Sequence, residues 1–473
     1  MITIVWLRQD LRTADNPALS AAVKLGEVLP VYILDDATPP PYRPPGAASR
    51  WWLHHSLAAL EQRLSGLHLL RGDPRRLLPE LARRTGATGV TWNRCYEPGA
   101  IARDSAVKAD LKLQGIEAQS FNAALLNEPW EIVTGSGDPY KVFTPYWRTC
   151  LKRPMTPPQP APKIKLAKAT HGGAALRDLG LLPSRPNWAK GWEAQWRPGE
   201  AGAAQRLDAF LAEGLAGYAT RRDRPDLPHS SRLSAHLHWG EISPRQILAR
   251  MARAVDETPS LQTDADKLSS EIGWREFAHH LLYHFPHLPE HNLRKEFDAY
   301  PWQNDPRLLK AWQRGATGYP MVDAGLRELW ATGVMHNRVR MIAASFLIKH
   351  LRVDWRLGEA WFWDTLVDAD LANNVAGWQW VAGSGADAAP YFRVFNPMSQ
   401  GQKFDPDGAY VRRWCPELAK LPTDHLHAPF LAPPLVLRAA GVTLGVTYPH
   451  PVVDHLAARE AALQGYQAVK AAG

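Results

Sequence analysis

Long apolar runs are missing from this chain. Its most hydrophobic stretches, such as "MIAASFLIK", fall far short of a bilayer's thickness, so no membrane span is expected. Cysteine is scarce: Cys95, Cys150 and Cys415 are the three in 473 residues. They lack metal-ligand spacing, which points to reduced thiols and a cytoplasmic setting rather than a disulfide framework or a metal centre. The opening "MITIVWLRQD" has no basic region followed by an apolar run and a small-residue cleavage site, so no secretory signal is expected. Several catalytic signatures are absent too. No G-x-G-x-x-G follows the first strand pattern, no phosphate-binding G-x-x-x-x-G-K-[ST] loop occurs, and neither G-x-S-x-G nor H-E-x-x-H is found. Nicotinamide binding by fingerprint, ATP hydrolysis, serine-hydrolase chemistry and zinc proteolysis therefore lose their usual support.

What the chain has is tryptophan, 20 of them, together with 40 prolines and a net charge of +8. Hydrophobic residues make up 45% and charged residues 22%, a globular balance, and the length calls for two domains. The basic excess favours an anionic partner such as nucleic acid.

The first third alternates short strand patterns with helices. "ITIVW", "VLPVYIL", "LHLLRG", "GVTWN" and "IEAQSF" read as strands. Between them, "DNPALSAAVKLG", "RWWLHHSLAALEQRLSG", "PRRLLPELARRTG" and "ARDSAVKADLKLQG" read as helices, several bounded by Pro and Gly. Such alternation predicts an α/β fold, a mostly parallel Rossmann-like sheet covered by helices, over residues 1–130. Residues 131–200 hold proline- and glycine-rich stretches such as "CLKRPMTPPQPAPKIK" and read as an extended interdomain linker whose tryptophans can dock on a neighbouring body. From 201 to 473 the strand pattern vanishes and helical periodicity takes over, "LGEAWFWDTLVDADLANNVAGWQW" included.

Four segments concentrate chemistry. "YATRRDRPDLPHSSRLSAHLHWGEISPRQI" begins at Tyr218 and contains Ser230, Ser231, Arg232, Leu233 and Ser234. Hydroxyls, free amides and a cation at a helix start suit a phosphate; serine N-capping is the plainer alternative. In "SSEIGWREFAHHLL", helical spacing brings Glu271, Trp274 and Arg275 near one face. They line a cavity for a flat ligand, or else Glu271 and Arg275 form an i,i+4 surface pair beside a core tryptophan. "GVMHNRVRMIAASFLIKHL" sets Asn337 one turn from Met341, an amide among neighbours that read as buried beside core filler or a soft wall. "DADLANNVAGWQW" carries Asp368, Asp370, Asn374, Trp378 and Trp380, with Asp368 able to face Arg340.

Taken in order, "VWLRQDLRTADNPAL", "SSRLSAHLHWGEISPRQI", "SEIGWREF", "PWQNDP", "MHNRVRMIAASFLIK" and "DWRLGEAWFWDTLVDADLANNVAGWQW" resemble the photolyase and cryptochrome family nearly end to end. The resemblance implies an antenna domain followed by an all-helical domain holding FAD. It assigns Tyr218 and Ser230, Ser231, Arg232, Leu233 and Ser234 to the phosphate and ribityl region. Arg275, Asp368, Asp370 and Asn374 go to the isoalloxazine or adjacent contacts, and Arg340 becomes a partner of Asp368. Trp302, Trp355 and Trp378 match a photoreduction relay, with Trp378 innermost. Glu271, Trp274, Asn337, Met341 and Trp380 match the lesion pocket, with Glu271 and Asn337 reading polar base edges.

"MHNRVRM" resembles cyclobutane-dimer repair enzymes. The reaction this implies is light-driven electron transfer from reduced FAD to a flipped pyrimidine dimer in DNA; a cryptochrome-type blue-light photoreceptor is the alternative. Extrusion of the target nucleotide is the behaviour already attributed to photolyases as a class. An antenna chromophore is also implied, methenyltetrahydrofolate with deazaflavin as competitor, although "NRCYEPGAIARD" departs from the usual pterin-site pattern. Arg221, Arg222, Arg393 and Lys403 are candidate DNA-phosphate contacts. A monomer associated with the bacterial nucleoid is expected.

Overall fold

The computed structural model describes residues 1–168, 173–388 and 392–472. Five parallel strands form one sheet in the order β3-β2-β1-β4-β5: β1 Ile2–Leu7, β2 Glu27–Leu34, β3 His68–Arg71, β4 Gly89–Asn93 and β5 Glu117–Phe121. Parallel neighbours need crossovers, and α1 (Pro17–Leu25), α2 (Ala47–Leu64), α3 (Pro74–Thr85) and α4 (Pro98–Leu113) supply them. Their starts follow from local chemistry. The Asn16 side chain accepts the Leu19 N–H at 3.1 Å ahead of Pro17, and Asp73 accepts the Arg75 N–H at 2.9 Å ahead of Pro74. Ile4, Trp6, Val31, Val90 and Trp92 close the apolar centre of the sheet.

The order of succession switches sides between β1 and β4, where such folds leave a crevice for a ligand at the carboxyl ends of the strands. Here the chain fills that place itself. Arg8 pairs with Asp104 at 2.8 Å and lies 4.1 Å from the Trp6 ring centre, while Arg103 sits 4.9 Å from Trp6 and 5.0 Å from Tyr42. Asn93 donates to Asp10 at 2.6 Å and to Asn16 at 2.7 Å. Helix α4 also presses on the loop after β2, since a Cβ on Gly99 would lie 2.3 Å from the Tyr42 backbone.

The proline-rich stretch, described apart from residues 169–172, is ordered by its aromatic anchors. Trp192 packs on Trp51 at 5.3 Å and Trp196 on Trp52 at 5.5 Å, both edge-on. It also holds the helix Phe143–Leu151.

The chain divides into two compact units. One comprises Met1–Ala216, Ser231–Pro286 and Val367–Ala372; the other Gly217–Ser230, His287–Leu366 and Asn373–Gly473. The first contains the sheet and also the helices Pro244–Glu257 and Gln262–His284. In the second, the helices Pro320–Thr332, Asn337–Ser345, Trp355–Thr365 and His455–Ala472 dominate. The pattern read as helical across "LGEAWFWDTLVDADLANNVAGWQW" breaks at residues 366–370, between Trp355–Thr365 and Leu371–Ala382. Leu366 turns extended there, so Asp368 and Asp370 leave the helix and enter the interior as loop carboxylates.

Candidate functional site

Within the first unit, the best-defined polar centre is built on Asp370. Its carboxylate lies 3.4 Å from His279 Nε2 and 3.8 Å from His238 Nδ1, all three groups being buried. Burial opposes the charge on Asp370. The charge of His279, joined by that of His238, outweighs it and holds the carboxyl well below the usual carboxylate range. Glu97 responds in the opposite sense. Burial, then the Asp370 charge, pushes its carboxyl up against the pull of His238, Gln9 and His279. Gln9 donates to it at 3.4 Å. The two buried carboxyls are thus shifted in opposite directions, Asp370 down and Glu97 up. Asp368, also buried, lies on the same loop.

Ser231, Arg232, Leu233 and Ser234 lead into a short turn of helix, Ser234–His238. No serine caps it: Leu233 holds the cap position and makes no side-chain cap. Arg232 adopts the left-handed region (φ 52°), a conformation costing roughly 1–2 kcal/mol for a non-glycine residue. Such strain persists only where neighbours over-determine it. Arg206 donates to the Ser231 carbonyl at 2.8 Å, and Glu241 braces the far side. The Glu241 carboxylate takes Trp52 Nε1 at 3.0 Å and the Gly199 N–H at 2.7 Å on one oxygen, and His236 Nδ1 on the other. Arg275 is half-buried and donates to the Ala124 carbonyl at 2.7 Å.

On the helix Gln262–His284, Glu271 pairs with Lys267 at 2.9 Å, one turn earlier, and not with Arg275 as its spacing also allowed. Trp274 is half-buried with its ring stacked on Phe143, so it is not a plain core tryptophan.

Within the second unit, Tyr218 is buried beneath the Arg222 guanidinium and Ser230 is half-buried. Arg340 donates through Nε to the Met335 carbonyl at 2.7 Å. Asn337 is exposed at the first position of its helix, with half-buried Met341 a turn below, so the expectation of an amide among buried neighbours is corrected. The cause is the helix start itself, which turns Asn337 outward while Val339 and Ile342 face the core. Asn374 donates to the Glu359 carboxylate at 2.7 Å and to the Glu359 carbonyl at 3.1 Å. Both partners are acceptors, so the amide nitrogen must face them and the amide oxygen is left as the free end.

Trp378 is buried, with ring contacts to Phe362 at 5.0 Å and Trp312 at 6.2 Å. Its outer ring rests on Gly358, where a Cβ would come within 2.2 Å of Trp378 and 2.6 Å of Leu347. Gly358→Ala is therefore expected to destabilise the protein by about 1–3 kcal/mol, read as a lower urea midpoint. Trp355 is fully buried with Nε1 on Asn292 at 3.0 Å, and half-buried Trp302 lies 4.5 Å from Tyr300. Trp380 donates to the Asp387 carbonyl at 3.1 Å. Asn374, exposed Gly377 and Trp380 follow one another at three-residue spacing, and a Cβ on Gly377 would meet open space. That side of the helix offers an amide oxygen, a gap and an indole.

The chain matches two family models, "DNA photolyase" over residues 3–163 and "FAD binding domain of DNA photolyase" over residues 268–468. It is 51% identical to the deoxyribodipyrimidine photo-lyase of Agrobacterium fabrum, across 99% of this chain and 98% of that one. The chain belongs to the DNA photolyase family. A crystal structure of a bacterial class III photolyase from Agrobacterium tumefaciens superimposes with a TM-score of 0.95 at 50% identity, covering 99% of this chain and 98% of that one. Cryptochrome-2 of Arabidopsis thaliana is 42% identical over 97% of this chain and 77% of its own length.

This photolyase thus has an α/β amino-terminal domain and a helical FAD-binding domain, and it is an FAD-dependent DNA-repair enzyme. The residues fit the cofactor chemically. Ser231, Arg232 and Ser234 offer donors for phosphate, and the Asp370 anion and the free Asn374 oxygen offer acceptors for ring or ribityl donors. Sequence reasoning passed over His238, His279, Glu97, Glu241 and Glu359. Two of these carried a signal: His238 stands one helical turn after Ser234, and Glu241 follows Gly240 within the same motif. Glu97, His279 and Glu359 reach their partners only through the tertiary fold. No helix among the described residues is long and apolar enough to cross a membrane.

Proposed function

We propose that this photolyase repairs cyclobutane pyrimidine dimers in DNA, taking the lesion as a nucleotide pair extruded from the duplex. Support comes above all from the end-to-end likeness to the Agrobacterium deoxyribodipyrimidine photo-lyase. When bound, reduced FAD supplies light-driven one-electron chemistry to the lesion.

The chain's residues hold and orient. Ser230, Ser231, Arg232, Leu233 and Ser234, with Tyr218, receive the phosphate and ribityl end. Arg275, Arg340, Asp368, Asp370 and Asn374 fix the ring system, with the Asn374 oxygen oriented by Glu359. Glu271 and Asn337 read polar base edges, while Trp274, Met341 and Trp380 give apolar surface against which damaged bases rest and from which water is excluded. Burial and the Asp370 charge push the Glu97 carboxyl up beside that anion. Trp378, Trp355 and Trp302 serve photoreduction. The functional partition follows the residue ranges 1–130, 131–200 and 201–473.

The antenna reading is methenyltetrahydrofolate, with deazaflavin as the competitor. Arg8, Arg103 and Tyr42 crowd the crevice at the carboxyl ends of β1 and β4, which counts against a flat chromophore there. Dimer-containing DNA is the partner, met through Arg221, Arg222, Arg393 and Lys403 by a monomer on the nucleoid.

The decisive experiment gives flavin-loaded, photoreduced protein a dimer-containing oligonucleotide. Restoration under near-UV or blue light and none in darkness is the expected result. Correctly bound reduced flavin with no lesion turnover would favour the cryptochrome-type photoreceptor instead.

A further inference from the structure

Trp274 is held from behind. Phe143 stacks on it with ring centres 3.9 Å apart and planes 9° from parallel, while Trp274 itself stays half-buried. Phe143 opens the helix Phe143–Leu151 and is 8% exposed. Trp147, one turn later on that helix, lies 12° from parallel to Phe143 at 6.5 Å. The Trp147 ring in turn rests on Gly273, where a Cβ would come within 2.6 Å of it. Phe277 abuts both rings edge-on, 6.0 Å from Phe143 and 6.0 Å from Trp274. One face of Trp274 is therefore covered and one edge blocked. Alone on a helix, an indole samples several staggered rotamers; with a ring laid flat against it, one orientation dominates. A wall fixed before the ligand arrives loses less entropy on binding than one ordered by the ligand.

We propose that Phe143 is a positioning residue for lesion recognition: it sets the plane of Trp274, so that an extruded pair of covalently joined pyrimidines meets a rigid aromatic surface. The proposal rests on the reading of Trp274 as a lesion contact. Phe143 lies behind Trp274 and touches no substrate. Its contribution is to affinity for damaged DNA, leaving the yield per bound lesion unaltered. The neighbouring Gly273 belongs to the same device, because any side chain there would displace Trp147 and, with it, the support under Phe143.

Dark binding of the flavin-loaded enzyme to dimer-containing and undamaged oligonucleotides, followed by fluorescence anisotropy, tests this together with single-turnover repair yield. Phe143→Leu is expected to weaken binding of dimer DNA by roughly three- to tenfold, the range of one aromatic stacking pair. Undamaged DNA and the yield per bound lesion should be unaffected, and Phe143→Tyr should restore affinity. In a Trp274→Ala background, Phe143→Leu should add no further loss, because the two act through one contact. If Trp274→Ala leaves dimer affinity intact, Trp274 is not a lesion contact and the underlying reading fails. If Trp274→Ala weakens binding but Phe143→Leu does not, the lesion reading stands and the positioning role falls. An equal loss from Phe143→Leu with and without Trp274 also overturns it, revealing a general packing role. Phe143→Met, unbranched and more adaptable, gives the same comparison should leucine impair folding.

Discussion

Illuminated Trp378→Phe protein will reduce its bound flavin at least about tenfold more slowly than the unmodified enzyme, a barrier difference of roughly 1.4 kcal/mol or more. The same variant, chemically reduced beforehand, will repair dimers at near the normal rate. The two readouts separate because Trp378 is proposed to refill the cofactor and has no assigned part in lesion chemistry. Its surroundings favour a clean substitution. The indole is buried against Phe362, Trp312 and Gly358, so phenylalanine removes the donor ring while keeping an aromatic body in the same slot. Transient absorption under blue light, with and without a chemical reductant, reads both quantities. Photoreduction at the normal rate would remove Trp378 from the route and direct attention to the other indoles of the second unit.

Glu241→Ala should be the most destabilising single change near the phosphate-side segment, about 3–5 kcal/mol by chemical denaturation. Three donors converge on this carboxylate: the Trp52 indole, the Gly199 amide and His236. Alanine would leave all three in an interior where water cannot replace the lost acceptor, with Glu241 itself 1% exposed. The backbone there has little room to relax, since Gly240 sits against residues 9–10 so closely that a Cβ would lie 2.1 Å from the Gln9 carbonyl oxygen. Glu241→Gln should recover most of the loss. Its amide oxygen still accepts from Trp52 and Gly199, and its nitrogen can face His236. Because the same carboxylate braces Ser231–Ser234, the alanine variant should also release flavin at lower denaturant than it unfolds. Coincident transitions would mean that the brace serves stability alone.

The sheet was legible because its punctuation is local. Pro17, Pro74 and Pro98 each open a helix, and Gly26 and Gly86 close two of them, so the two-residue and helical periods could be told apart without tertiary information. The aromatic anchoring of the proline-rich stretch was likewise readable from its tryptophans. The break at 366–370 was not, because nothing in the local spacing of "TLVDADLANN" separates a continuing amphipathic helix from a loop that turns two carboxylates inward. What decides it is the pair of histidines waiting for Asp370, each far away in the chain. Helical spacing offered Arg275 as an ion-pair partner for Glu271, but the helix carries a second cation one turn earlier, and the fold pairs Glu271 with Lys267. Asn337 shows the limit from the other side, an amide two residues from buried Val339 that is itself exposed at a helix start.

Trp192 and Trp196 give the segment that links the early helices to Gly199 a property its composition conceals. Each indole packs on a tryptophan of α2, and the backbone between them closes one helical turn, with the Trp196 N–H on the Trp192 carbonyl. A stretch rich in proline and glycine thus behaves as a strap buckled at both indoles, so lengthening or shortening it between the buckles would pull one of them from its seat.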